Sequence, residues 1–202
     1  MSSCVFCNFS KIKDRTIATI DGFHITVSLG QITNGGYLLL IPTQHTPCLG
    51  TMNEAQINKF EAVLDETSDN LYHIYDNPVT FFEHGIVGQT VFHAHLHIFP
   101  GNVDIGKRIT TDFPNFEIQT VKDFSELGLL YKKRKDPYLL WSSPKKELHV
   151  CWNPPAKGEY LRNATAEDLG VPERASWRNM DPALDKKLIN KTLDQLFPLF
   201  NP

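Results

Sequence analysis

The fold is decided by the stretch HAHLHIFP, residues 93–100, in which three histidines alternate with apolar residues. Residues two apart in a β-strand point to the same face, so His93, His95 and His97 would line one face while the residues between them enter the core. A helix would scatter the three rings around its axis. A row of imidazoles suits a metal ion, a phosphate or an acyl group. The alternative is a half-buried strand that is rich in histidine by chance.

The bulk properties are those of a globular protein. The chain has 202 residues, of which 41% are hydrophobic and 21% charged. Its net charge of −3 argues against a nucleic-acid or membrane binder that works by overall charge. No apolar run is long enough to cross a bilayer, and the first residues lack the basic and apolar segments of a secretory signal. These features predict a protein of the cytoplasm, with the nucleus as the alternative.

The four cysteines fit a reducing compartment better than a disulfide framework. Cys4 and Cys7 form a C-x-x-C pair, which is a common half of a tetrahedral zinc site and also a common redox pair. The sequence has no second C-x-x-C, so histidines would have to complete a zinc site. His45 lies just beyond a predicted strand, where ligands and catalytic groups often occur, although on its own it is better explained as a solvated loop histidine.

The first half of the chain predicts strands around one long helix. Strands are expected within 15–42, broken by glycine turns, and a short strand at 79–82. Between them Asn53 predicts a helix N-terminus, and apolar spacing extends the helix to about residue 75. Residues 83–90 contain two glycines, which permit close approach of the backbone to a ligand.

The second half has a different character. Residues 101–116 read as a connector, followed by a short helix within 121–130 and a basic run at 132–135. A β-hairpin is expected at 138–152, then a helix at 158–169 and an amphipathic helix after Pro182. No internal sequence repeat is evident.

The histidine stretch resembles the signature of the histidine triad (HIT) superfamily, His-φ-His-φ-His-φ-φ, with φ apolar. Residues 88–91, GQTV, are similar to the segment that precedes the triad. Residues 39–45 resemble a strand ending in Ile-Pro-x-x-His, and 53–75 resemble the family's long central helix. Cys4 and Cys7 are similar to the zinc-binding branch. The segment 159–180 resembles, more loosely, C-terminal segments of some relatives.

The resemblance implies an α+β fold: a HIT-like antiparallel sheet with helices on one side, a long central helix, and a C-terminal α/β extension packed on it. It divides the chain into a HIT domain with an N-terminal zinc site at 1–100 and an extension at 101–202, made of the connector, the hairpin and two helices. It also implies a homodimer.

The resemblance further implies nucleotidyl chemistry on the α-phosphate of a nucleotide. His95 would be the nucleophile, with His97 donating to a phosphate oxygen and Thr90 close to the leaving group. A structural zinc ion would be held by Cys4, Cys7, His45 and His93. The alternative for the two cysteines is packing without metal. The residues assigned to substrate binding are Phe6, Ser28, Gly88, Gln89, His97 and Arg178.

Some positions depart from the family pattern. Ser28 and Leu29 stand where many relatives carry Asp or Asn for the ribose hydroxyls. Glu83 stands where Asn or Gln is usual, and a carboxylate there would repel phosphate unless it is protonated or faces a hydroxyl or a cation. Arg178 offers a bidentate fork for phosphate, with a structural ion pair as the equal alternative.

The sequence therefore predicts a nucleotide hydrolase or transferase, acting on a dinucleoside polyphosphate or a nucleoside phosphoramidate through a covalent nucleotidyl-histidine. The extension, the basic run and the altered ribose positions favour an alternative, a nucleotide- or RNA-binding adaptor on a HIT scaffold. A zinc hydrolase ranks last, because four protein ligands would close the metal site to water.

Overall fold

The histidine stretch enters the middle of an antiparallel sheet in the computed structural model, which describes residues 4–201. The strands of these residues are β1 Thr16–Ile20, β2 Phe23–Val27, β3 Leu38–Pro42, β4 Val79–Gly85, β5 Leu96–Pro100, β6 Ile118–Val121, β7 Tyr138–Ser142 and β8 Leu148–Trp152. The helices are α1 Glu54–Tyr75, α2 Ile105–Asp112, α3 Phe124–Arg134, α4 Tyr160–Asp168 and α5 Pro182–Phe200. The strand order is β1-β2-β3-β5-β4-β7-β8-β6. The prediction that a secretory signal is absent concerns the first residues of the chain, and the first three of these lie outside the described residues.

The predicted long helix is confirmed. Asn53 caps α1 by accepting from the backbone N–H of Gln56, whose side chain accepts in return from the Asn53 N–H. The buried side chains of α1 pack on one face of the sheet together with residues of α3. The extension contributes α2 and α4 to the other face, where Ile105, Ile109 and Leu161 are buried. The HIT-like α+β fold is therefore correct, but helices cover both faces.

The strand that carries the triad is shorter than predicted. Its ladder begins at Leu96, which pairs with Leu40 of β3. In this register Ile41 would come next, opposite His95, and then Pro42 opposite Ala94, but Pro42 has no N–H to donate. The N–H of Ala94 instead donates to the carbonyl of Thr46 at 2.6 Å. His93 and His95 therefore lie in the segment just before the strand, where the chain bends at His93.

The extension continues the sheet as well as packing on it. β7 pairs antiparallel with β4, and the predicted hairpin β7–β8 carries β6 at the far edge. The order β3-α1-β4-β5 in the first half recurs as β6-α3-β7-β8 in the second, arranged about the β4·β7 seam. Phe82 pairs with His97 and stacks on it at 4.5 Å, and Trp141 pairs with His149 and stacks on it at 5.5 Å. The chain thus contains a topological repeat that its sequence conceals.

Gly85 is required by close packing at the seam. A Cβ at this position would collide with the ring of Tyr138, which is fully buried. We expect Gly85→Ala to lower the free energy of unfolding by roughly 1–3 kcal/mol, the usual cost of overpacking. Gly158→Ala is the matched control, because its Cβ would meet its nearest neighbour, Thr90, at 3.8 Å. Urea unfolding of both variants measures the difference, and equal stabilities would contradict this account of the seam.

Candidate active site and metal centre

The three triad histidines lie side by side although only His97 belongs to the strand. The rings of His95 and His97 are 5.0 Å apart, and Phe6 packs edgewise against His93 at 5.9 Å and His95 at 5.2 Å. All three histidines are buried. His95 and His97 line a cavity, whereas His93 faces a cluster of cysteines.

His95 is held as a neutral imidazole with an unprotonated Nε2. Its Nδ1 lies 2.6 Å from the carbonyl oxygen of His93, and since a carbonyl only accepts, Nδ1 carries the proton. Burial lowers the pKa of His95 to about 4. Near neutral pH the ring therefore keeps a lone pair on Nε2 and can act as a nucleophile.

His97 has the complementary tautomer. The Tyr37 hydroxyl lies 2.6 Å from His97 Nδ1. Its oxygen accepts from the Arg162 guanidinium, which can only donate, so the O–H proton of Tyr37 is left to donate to Nδ1. Burial also holds the pKa of His97 well below its usual value. Nε2 of His97 therefore carries a proton and can donate to an anion.

A fourth histidine, His84, lines the same cavity and was not identified from the sequence. The backbone N–H of Leu161 in α4 donates to its Nε2 at 3.0 Å. Burial lowers the pKa of His84 to about 3. The signal that could have found it is the alternation of β4, which places Phe82 and His84 on the cavity face.

The same alternation turns Glu83 away from the cavity. Its carboxylate accepts from the Leu49 N–H at 2.8 Å and from the Tyr138 hydroxyl at 2.6 Å. Its side chain is fully buried, and this burial raises its pKa to about 7. Glu83 is therefore not placed to repel a phosphate in the cavity, because its carboxylate lies on the opposite face of the sheet and binds the Tyr138 hydroxyl.

Glu83 should make stability depend on pH. Its pKa rises from the ordinary 4.5 to about 7 on folding, so between these values the folded protein binds more protons than the unfolded chain. We expect the free energy of unfolding of the wild type, relative to Glu83→Gln, to fall by on the order of 2 kcal/mol from pH 5 to pH 8. Urea titrations of both proteins across this range measure it, and parallel curves would contradict it.

The cavity has mainly apolar walls with a few charged groups. Phe6, Ser28, Gly88 and Thr90, all predicted from the sequence, are among its lining residues. The resemblance also suggests Phe9 for the wall around the base, but Phe9 is stacked on His24 and does not line the cavity. Val5, expected beside Phe6 in the apolar wall for the base, also lines it, and the further lining residues are Arg15, Leu29, Leu39, His84, Val91, Glu159, Arg162 and Trp177. Arg15 and Arg162 bring positive charge to a site whose histidines are neutral.

Gln89 and Arg178 have partners of their own. The Gln89 amide donates to the carbonyl of Pro47 at 3.0 Å. Arg178 lies 2.5 Å from the carboxylate of Glu159 and stacks over Trp177. Arg178 thus makes the carboxylate pairing given above as its structural alternative, and its neighbours Glu159 and Trp177 line the cavity in its place.

The four predicted metal ligands form one cluster. The donor atoms of Cys4, Cys7, His45 and His93 all lie within 4.8 Å of one another. The Cys7 sulfur is 3.2 Å from His45 Nδ1 and 3.5 Å from His93 Nδ1, and the Cys4 sulfur is 3.4 Å from His93 Nδ1. A tetrahedral zinc ion with Zn–S of about 2.3 Å and Zn–N of about 2.0 Å separates S and N by about 3.5 Å. The spacing fits such an ion.

His93 is oriented for this role by its other nitrogen. Nε2 of His93 lies 2.8 Å from the carbonyl oxygen of Pro42, so Nε2 carries the ring proton. Nδ1 is then unprotonated, and its lone pair is available to bind a metal ion. The cluster could hold a metal ion through two sulfurs and two ring nitrogens. His93 is then committed to the metal centre and not to the cavity.

The antiparallel sheet, the central helix and the aligned histidines have the arrangement expected of a HIT-like fold. The family model described as "Protein similar to CwfJ C-terminal" matches residues 1–114. The chain therefore belongs to this family of proteins similar to the C-terminal region of CwfJ. No curated protein matches the chain.

Solved HIT structures resemble part of the chain. A HIT family protein from Bacillus anthracis is 21% identical over 50% of this chain and 74% of its own, with a TM-score of 0.46. A HIT family member from Bacillus subtilis is 23% identical over the same shares, with a TM-score of 0.44. A hypothetical histidine triad nucleotide-binding protein from Sulfolobus tokodaii is 19% identical over 48% of this chain and 68% of its own, with a TM-score of 0.43.

Among the helices of residues 4–201, none is both long and apolar enough to cross a membrane.

Proposed function

We propose that the chain is a nucleotide hydrolase or transferase that acts on the α-phosphate of a nucleotide through a covalent intermediate on His95. The observation that carries the proposal is the pair of opposite tautomers at the cavity. An unprotonated Nε2 on His95 lies next to a protonated Nε2 on His97, with ring centres 5.0 Å apart. One ring can attack phosphorus while its neighbour donates to a phosphate oxygen.

The first step forms a bond from His95 Nε2 to the α-phosphorus and breaks the bond from phosphorus to the leaving oxygen or nitrogen. A polyphosphate leaving group departs as an anion, whereas an amine from a phosphoramidate takes up a proton, for which the Thr90 hydroxyl is our candidate relay. The positive charge that forms on the His95 ring is stabilised by the His93 carbonyl. Water or another acceptor then attacks phosphorus, the N–P bond breaks, and its electron pair returns to Nε2, while an attacking water or hydroxyl gives up its proton to solvent.

Binding of the nucleotide follows from the cavity walls. The base would lie against Phe6 and its apolar neighbours, and Ser28 would contact the ribose. The phosphate would contact His97 and the backbone near Gly88, and it would lie close to the positive charge of the arginines. Hydrogen-bond donors held in fixed positions would supply most of the stabilisation of the transition state. We assign Gln89 and Arg178 supporting roles, since their side chains already bind Pro47 and Glu159.

We propose that the cysteine–histidine cluster holds a structural zinc ion. Two thiolates and two neutral imidazoles are a preferred zinc donor set, and four protein ligands leave no open position for water. The bound ion would neutralise the thiolates and tie the N-terminal segment to the 43–47 loop. This role requires reduced cysteines, which agrees with a reducing compartment such as the cytoplasm. The homodimer implied by the HIT resemblance stays a prediction that analytical ultracentrifugation can test.

The test of the proposed function is a panel of dinucleoside polyphosphates and nucleoside phosphoramidates, followed by product analysis and intact-mass measurement. We expect release of a nucleoside monophosphate and a His95-dependent mass increase of one nucleotidyl group. Addition of inorganic phosphate separates a hydrolase from a phosphorylase. Absence of turnover, with equal nucleotide binding by wild type and His95→Ala, would exclude the enzyme.

The adaptor alternative is supported by the exposed basic end of α3. Lys132, Lys133 and Lys135 are exposed there, while Arg134 is paired with Glu117. Such a run suits the negative end of a helix dipole, and it also suits a phosphate backbone. RNA association that survives His95→Ala and falls when the three lysines are replaced by glutamine would favour the adaptor.

A further inference from the structure

Arg162 of the extension is buried beside the catalytic histidines and is bound almost entirely by carbonyl groups. Its exposed fraction is 3%. Nε donates to the Ala175 carbonyl at 2.6 Å, and Nη2 donates to the carbonyls of Gly30 at 2.5 Å and Arg174 at 3.0 Å. Nη1 donates to the Leu29 carbonyl at 3.3 Å. The guanidinium thus joins the loop at residue 30 to the segment at 174–175.

Carbonyl groups solvate this cation but do not neutralise it. Within residues 4–201 no carboxylate forms an ion pair with Arg162. A buried charge without a counter-ion is costly, and it becomes favourable when an anion binds nearby. Because Arg162 lines the same cavity as His95 and His97, an α-phosphate placed there would supply the missing charge.

The guanidinium is also linked to the triad through Tyr37. It lies over the Tyr37 ring, 5.3 Å from its centre, and the Tyr37 hydroxyl lies 2.6 Å from His97 Nδ1. Burial is the main cause acting on both groups, raising the pKa of Tyr37 and lowering that of His97, and the Arg162 charge acts to lower both. The charge thus favours donation from the phenol to Nδ1 and a neutral His97 ring, whose single proton is then on Nε2.

We propose that Arg162 is a positioning residue for the phosphate-binding site: a fixed charge supplied by the extension that, through Tyr37, holds His97 as the Nε2–H donor. The inference rests on the proposed function for its catalytic consequence. It makes the α-phosphate site incomplete without the extension. Gly30 permits the arrangement, because its φ is +67° and a Cβ there would meet Arg162 Nη2 at 2.5 Å and Trp177 Cα at 2.6 Å.

The test compares Arg162→Met, Arg162→Lys and Tyr37→Phe with a matched control. Arg174→Met is that control, because Arg174 also joins the extension to the first half, through Asn34 at 3.0 Å, but lies outside the cavity lining. Nitrogen-15 NMR of histidine-labelled protein reads the tautomer of His97 directly. Turnover of a substrate identified in the panel gives kcat and KM.

We expect Arg162→Met and Tyr37→Phe each to lower kcat by roughly 10- to 100-fold with less change in KM, as for loss of support to one transition-state donor. The double variant should lose less than the product of the two single effects, because the two residues share their action on His97 while Arg162 also attracts the phosphate. In both single variants the His97 spectrum should shift from pure Nε2–H toward a mixture of tautomers. Arg162→Lys should recover part of kcat, and Arg174→Met should match the wild type.

A wild-type His97 tautomer in Tyr37→Phe would overturn the proposal, and so would equal behaviour of Arg162→Met and Arg174→Met. If Arg162→Met does not fold, Arg162→Gln replaces it in both measurements, with the same expected results. Failure of the proposed function is distinguishable, because it leaves the wild type without turnover or covalent adduct while the NMR measurement of the tautomer still applies.

Discussion

His95→Asn is expected to abolish nucleotidyl transfer, with turnover falling by on the order of 10⁴-fold or more, as when a covalent nucleophile is removed. Asparagine is a suitable replacement because it is compact and its amide N–H can still donate to the His93 carbonyl, which His95 contacts at 2.6 Å. The loss should therefore reflect the missing Nε2 lone pair and not a misfolded site. Single-turnover kinetics and intact-mass measurement provide the test, and no nucleotidyl adduct should form.

His97→Gln is the comparison that separates the two roles. If His97 only donates to a phosphate oxygen, its loss should cost about 10²- to 10³-fold in rate, as for a single transition-state donor, and the adduct on His95 should still form. The His97 variant should thus be slow but competent, and the His95 variant should be inactive. An adduct on His95→Asn, or its absence from His97→Gln alone, would reverse the assignment of the nucleophile.

Removal of the proposed zinc ion is expected to destabilise the protein and loosen the cavity proposed to bind the nucleotide. A ligand present at a hundred times its Kd stabilises the folded state by about 2.7 kcal/mol, and each kcal/mol shifts the Tm of a protein of this size by about 2–4 °C. Chelation should therefore lower the Tm by roughly 5–11 °C. Phe6 lies between the ligands Cys4 and Cys7 and packs against His95, so KM should rise more than kcat falls.

Two variants make this prediction specific. Cys4→Ser should already have the lowered Tm and should no longer respond to chelator. His24→Ala is the matched control, since His24 also contacts the N-terminal segment, by stacking on Phe9, but is absent from the donor cluster. It should keep its zinc, as measured by elemental analysis of the purified protein. A wild type that carries no zinc and ignores chelator would contradict the structural role.

The sequence correctly predicted the elements that are determined by residues close together in the chain. The cap at Asn53 and the apolar spacing behind it located α1 to within a residue, and the C-x-x-C pair with the triad signature led to the metal cluster. The predicted strand included residues 93–95, but the observed strand begins at Leu96. Its end depends on Pro42, which lies in a neighbouring strand. Neighbouring strands, and not the local pattern, determine where a ladder stops.

The charged part of the cavity could not be predicted in the same way. Arg162 and Tyr37 are 125 positions apart in the chain, and their contact depends on how α4 closes over the loop at Gly30. His84 carried a usable signal in the alternation of β4, but the glycines after it suggested a loop. Long-range packing, which has no sequence period, decides which polar side chains share a cavity.

The repeated order of strands and helices about the β4·β7 seam has a consequence for how the protein can vary. In a symmetric dimer of identical subunits, each substitution occurs in both subunits. Here the two halves belong to one chain, so His149 stacks on Trp141 without the two further histidines that precede His97 in the first half. A substitution that improves the packing of one half does not introduce the same substitution in the other half. One half can therefore keep the histidines under strict selection while the other diversifies as its scaffold.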